Sequence, residues 1–103
     1  MINVETWDES TQGPLSEKTL TLLLEKKGYQ VCKYVYPPGT FFSDHSHAVD
    51  KIDAVLVGQF EMNMQGMSVI LGPGDSLEVP RGQIHSARVV GSEAVVSLDA
   101  VKS

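Results

Sequence analysis

At 103 residues, 42% hydrophobic and 20% charged, the chain is long enough for one domain with a modest core and too short for two. A net charge of −5 at pH 7, with the eight basic residues scattered and only Lys26-Lys27 adjacent, argues against a nucleic-acid partner, which wants clustered Lys and Arg. A single cysteine excludes an internal disulfide and a cysteine-rich zinc module, and Cys32 itself, in an apolar strand pattern, reads as a small core residue rather than a reactive thiol.

Met1 to Glu9 is polar and acidic, and no long apolar run follows, so the expectation is a cytoplasmic protein with no membrane partner. Residues 1–14 end in Gln12-Gly13-Pro14 and read as an arm or a short edge strand. One short helix follows. Ser16 is its N-cap, Glu17 lies in its first turn, Leu20, Leu23 and Leu24 mark one face, and Lys26-Lys27 precede the stop at Gly28.

Everything after Gly28 reads as strand and turn. Gln30 to Tyr36 is rich in β-formers and is broken by Pro37-Pro38-Gly39; Ile52 to Val57 is an apolar run ending at Gly58. Phe60, Met62 and Met64 alternate with polar residues as in a half-buried strand, and Gln65-Gly66 turns the chain into Met67 to Leu71. The methionines at 62, 64 and 67 read as core filler. Gly72-Pro73-Gly74-Asp75 is a tight turn, after which Leu77 to Val79, Ile84 to Val90 and Ala94 to Val101 supply three more strands. Many short strands between Gly and Pro turns predict an all-β domain, a sandwich or closed barrel, over 29–103, with 1–28 as an arm and helix packed on it.

The chemistry concentrates in the three histidines. His45 and His47 stand two apart, so in an extended segment both imidazoles point to one side. If the fold brings His85 opposite them, three neutral imidazoles form a site suited to a divalent transition metal such as Fe, Zn, Ni or Mn, with an open position for water or substrate.

Two stretches carry a resemblance. Gly39, His45, His47 and Gly58 fall at the places of one motif, Gly74, Pro80, Gly82 and His85 at those of a second, and together they resemble the two motifs of the cupin superfamily, single-domain type-2 proteins. The resemblance implies a jelly-roll β-barrel, a homodimer, a small-molecule ligand, and His45, His47 and His85 as metal ligands. The chain departs from the pattern twice: Lys51 occupies the place of the family's metal-binding glutamate, and Val89 that of its asparagine.

Positions 45, 47, 51, 53, 55 and 57 share a parity, so on one regular strand Lys51 and Asp53 face the same interior as the histidines. An ammonium about 4 Å from a divalent ion is repelled by roughly 8 kcal/mol at an effective dielectric near 20. Three arrangements remove the conflict: Lys51 pairs with Asp53 or Asp50; Asp53 joins the metal as a fourth, oxygen ligand; or the site holds no metal and Lys51 supplies the positive charge for an anionic ligand.

Other residues read more plainly. Arg81 and Gln83 lie in the turn leading to His85, where a solvated role is the ordinary one; Tyr34, Tyr36, Phe41 and Phe42 can line an entrance but fit packing as well. Trp7 and the helix are expected to cover an open edge or to form a dimer contact.

Two functional classes follow. One is an enzyme of cupin oxygenase or isomerase type, with Asp53 as general base and Lys51 as partner for a substrate carboxylate. The other is a non-catalytic barrel that binds a small ligand without metal, or that merely dimerises around a vestigial site.

Overall fold

The computed structural model describes residues 2–103. In chain order the elements are β1 (Val4–Thr6), α1 (Glu9–Gln12), α2 (Glu17–Lys26), β2 (Tyr29–Tyr36), β3 (Phe41–His45), β4 (Lys51–Val57), β5 (Gln59–Met64), β6 (Met67–Leu71), β7 (Asp75–Val79), β8 (His85–Val90) and β9 (Val95–Lys102). Two antiparallel sheets result, one in the order β1-β7-β4-β9-β2 and one in the order β3-β8-β5-β6. Apart from the β5–β6 hairpin, each consecutive pair from β2 to β9 changes sheet, which is the jelly-roll arrangement.

The alternation within strands decides which sheet faces meet. Val55, Leu77, Val79 and Val95 of the first sheet pack against Phe60, Met62, Met64, Leu71, Ala87 and Val89 of the second. The β5–β6 hairpin turns on Gln65 and Gly66, whose φ angles of 56° and 73° both lie in the left-handed region, as a two-residue primed turn demands. Met62 and Met64 are core residues as the alternation predicts, but Met67, first residue of an edge strand, is 56% exposed. Gly58, between β4 and β5, allows a backbone approach that nothing larger tolerates: a Cβ there would sit 2.6 Å from the Ala94 carbonyl oxygen.

A second core lies outside the sandwich. Leu20 and Leu24 of α2 press on Ile52, Ala54, Leu98 and Ala100, the outward side chains of β4 and β9, with Trp7, Leu15, Tyr29 and Val31 around them. Each leucine buried there contributes roughly 1.5–3 kcal/mol. The helix therefore covers a sheet face, not the open edge expected for it. That cover explains why the first five residues of β4 are buried on both sides. Ser16 caps α2 by accepting from the Thr19 amide, while the Thr19 hydroxyl accepts from the Ser16 amide, a reciprocal box.

The arm holds more structure than the sequence suggests. β1 pairs with β7 as an edge strand, and Asp8 caps the one-turn helix α1 by accepting from the Ser10 amide. Trp7 donates from its indole to the Gly13 carbonyl (2.8 Å) and from its amide to the Gly74 carbonyl (2.9 Å), tying the arm to the sandwich. Cys32 is exposed, contrary to the core role expected of it, because β2 is the outer strand of its sheet and pairs on one side only, with β9. Among the described residues no helix is long and apolar enough to cross a membrane.

Candidate metal centre

β3 and β8 are neighbours, and their register sets His45 directly opposite His85. The β3 strand is irregular between Phe42 and His45, which re-aims the end of the strand. His47 lies just past it, and its carbonyl accepts from the Gly82 amide at 2.8 Å. The turn carrying Pro80 and Gly82 is thus stitched to the segment carrying the histidine pair, and Asp50 adds a second stitch by accepting from the Arg81 amide at 2.8 Å.

The three rings converge. Ring centroids are 4.2 Å apart for His45 and His85, 4.9 Å for His45 and His47, and 5.2 Å for His47 and His85. One ligand nitrogen from each lies within 4.8 Å of the other two.

Their hydrogen bonds decide which nitrogens are free. His45 Nδ1 is 2.7 Å from the Ser43 carbonyl and His85 Nδ1 is 2.9 Å from the Gln83 carbonyl. A carbonyl oxygen only accepts, so both Nδ1 atoms carry the proton, and each neutral ring keeps its lone pair on Nε2. His47 Nε2 is buried with no hydrogen-bond partner. Burial is the first cause holding His47 and His85 below the usual imidazole pKa, with the Lys51 charge acting in the same direction on both. Two imidazoles with Nδ1 anchored on carbonyls and a third with a buried, unpartnered Nε2 are a donor set that a borderline transition metal accepts, so the residues present fit such an ion.

The rings open onto a cavity of about 500 Å³ between the sheets. Tyr36, Phe41, Phe42, Phe60, Met62 and Ala87 form its apolar walls, and Lys51, Asp53 and Asp99 its charged floor. Tyr36 packs edge-on to Phe42 and stacks near Phe60, while Tyr34 stacks on Tyr36 without itself lining the cavity. Burial first, then the nearby Asp99 and Asp53 charges, push the Tyr36 phenol up to about 12, so it stays a hydrogen-bond donor at neutral pH.

Lys51 and Asp53 do face the same interior as the histidines, but by another route than one continuous strand. Residues 46–50 leave the second sheet and enter the first, so the two halves of the site sit on opposite sheets. The shared parity also ends at a β-bulge between Val55 and Val57, and Val57 is 40% exposed. Asp53 lies outside the cluster of ligand atoms formed by the three histidines. Its side chain lines the cavity with 9% exposure, and burial pushes its carboxyl up to about 6, against the Lys51 charge, which lowers it.

Lys51 pairs with neither Asp53 nor Asp50. Its Nζ lies 2.8 Å from Asp99 Oδ1. The contact is a close ion pair without well-aligned hydrogen-bond geometry, since Oδ1 has no hydrogen-bond partner by angle as well as distance. Asp99 is the site residue that the sequence reading missed. The signal was present: Val95, Ser97, Asp99 and Val101 share one parity of the last strand, and a carboxylate stands out there. Arg81 and Ile84 in the adjoining turn are exposed, Ile84 at 61%.

An antiparallel jelly roll with a histidine cluster opening onto its interior defines a class of β-sandwich with a cavity between its sheets. The family comparison agrees: residues 33–101 match the cupin domain model, and the chain belongs to the cupin family. No curated protein matches the chain by sequence. Among solved structures, the conserved SPY1581 protein of unknown function from Streptococcus pyogenes is similar, at 21% identity and a TM-score of 0.65, over 74% of this chain and 65% of that one. KdgF from Halomonas sp. is similar at 23% identity and a TM-score of 0.64, over 74% and 71% of the two chains. The DMSP lyase DddQ from Ruegeria pomeroyi is similar at 29% identity and a TM-score of 0.61, over 71% of this chain but only 38% of its own.

Proposed function

We propose that this cupin is a metal-dependent enzyme acting on a small organic molecule, with one divalent transition metal held by His45, His47 and His85. The observation that carries the reading is the convergence of three imidazoles, two with Nδ1 protons committed to backbone carbonyls and one with Nε2 buried and unpartnered. A bound ion of Fe, Zn, Ni or Mn would supply Lewis-acid polarisation of a substrate oxygen.

The remaining roles belong to the protein. Asp53, enclosed and titrating near 6, is the group able to take and return a proton near neutral pH. Phe42, Phe60 and Met62 offer an apolar wall for the substrate's carbon skeleton above a floor that holds the Lys51–Asp99 ion pair. DddQ, a lyase, supports an enzymatic reading, since a similar scaffold carries a reaction in that protein. The homodimer that the family resemblance implies, and the expected cytoplasmic location, belong to the same proposal.

Metal content tests it. Protein purified without added metal, and again after incubation with Fe, Ni, Zn or Mn, is expected to hold about one ion per chain by elemental analysis, and a His45→Ala/His47→Ala variant little. An empty parent after every incubation overturns the metal reading and leaves the second one, a cavity that binds a ligand through Lys51.

A further inference from the structure

One cation inside the cavity stands at the place where the family pattern has a metal-binding carboxylate, and one carboxylate on another strand governs it. Lys51 and Asp99 are 10% and 20% exposed in their side chains, with Nζ and Oδ1 2.8 Å apart. The sheet register makes the contact: Asp53 stands opposite Asp99 and Lys51 opposite Val101, so Lys51 reaches diagonally along the inner face of β4 and β9. That direction keeps its ammonium against the first sheet, whereas His45 and His85 project from the second.

We propose that Asp99 is a positioning residue of the site, tethering and neutralising Lys51 so that three imidazoles can hold a divalent cation in a cavity that also contains a lysine. The inference rests on the metal reading above. The two carboxylates of Asp53 and Asp99 outnumber the single ammonium, so the floor beneath the histidines is not a positive field. The lysine stem has four rotatable carbons, and without Asp99 its charged end is free to swing toward the rings.

The test is affinity for Zn(II) and Ni(II), measured by chelator competition on the full chain, beside thermal melting of the metal-free protein. Asp99→Asn keeps the shape and removes the charge, and is expected to weaken binding by about tenfold or more. Lys51→Met alone binds as well as the parent or tighter, and the double variant K51M/D99N returns to within roughly threefold of K51M, because the two residues act as one unit. A merely structural Asp99 would lower the melting temperature, leave the affinity of folded D99N unchanged and show no rescue. Parent binding with unchanged affinity in D99N, or weakened D99N that K51M does not rescue, overturns the inference alone. A parent that binds neither ion overturns this inference, and one that also stays empty after incubation with Fe and Mn overturns the metal reading with it. Should D99N fail to fold, Asp99→Glu retains the charge and is expected to stay within about threefold of the parent; a tenfold loss there overturns the tether.

Discussion

Strands β4 and β9 have two buried faces of opposite character. Outward, Ile52, Ala54, Leu98 and Ala100 are each at most 2% exposed beneath the leucines of α2. Inward, Lys51, Asp53 and Asp99 face the cavity, with Ser97, 1% exposed, on the same side of β9. The outer face is an ordinary core between helix and sheet. The inner face buries charge, which costs stability unless each group is paired or hydrogen-bonded. The difference teaches that the helix lets the jelly roll devote part of its interior to chemistry, because burial lost inside is replaced outside.

The comparison breaks first at Leu98. Leu98→Ala removes a 1% exposed side chain from beneath α2, and about 2–5 kcal/mol of stability should go with it in urea unfolding. Metal content of the folded protein is expected to stay at the parent value, since Leu98 faces away from the cavity. A loss under about 1 kcal/mol would mean that the outer core does not carry the fold.

Asp53 tests the opposite face with the opposite sign. Its carboxyl is raised from 3.8 to about 6, so the folded chain binds this proton more tightly than the unfolded chain does. The stability linked to that proton is complete below 3.8 and is lost as pH rises through about 6. Asparagine cannot ionise, and Lys51 keeps its partner Asp99. Asp53→Asn should therefore be more stable than the parent by about 1–3 kcal/mol at pH 8, with the gain vanishing below about pH 4. Denaturant unfolding at the two pH values measures it, and a loss of stability at pH 8 would show that Asp53 holds the floor together.

What was legible in the sequence follows the same division. Short-range patterns were readable: the Ser16 cap, the Phe60-Met62-Met64 alternation, the Gln65-Gly66 turn, and the two motifs whose spacing places His45 against His85. Asp99 stood out as a carboxylate on the inner parity of the last strand, but its pairing with Lys51 was not readable. Asp99 is 46 positions from Asp53, and only the β4–β9 register sets the two opposite. Without that register, Asp50 and Asp53 were the natural partners for Lys51, yet Asp50 is spent on the Arg81 amide. Cys32 and Met67 were misplaced for a related reason. Local composition marks a strand as apolar but not as an edge strand, and both residues lie on edges.

The smallest effect sharpens the contrast, because it reaches the inner face from outside. The Pro80–Gln83 turn holds two of the histidines: Gly82 donates to the His47 carbonyl, and the Gln83 carbonyl accepts from His85 Nδ1. Asp50 fixes this turn through one hydrogen bond to the Arg81 amide, at an exposed position where water competes. Asp50→Ala should cost about 1 kcal/mol in unfolding free energy. Arg81→Ala, which leaves that amide in place, should stay within about 0.5 kcal/mol of the parent. Metal affinity should fall roughly two- to threefold in the first variant and not in the second, since a loosened turn broadens the orientations of His47 and His85 without removing a donor. The outer core depends on its rim far less. Lys33 of β2 reaches Glu17 of α2 at 3.1 Å, but both side chains are about half exposed. Apolar burial holds the leucines, whereas the inner site needs hydrogen bonds at its rim to keep three rings aimed at one point.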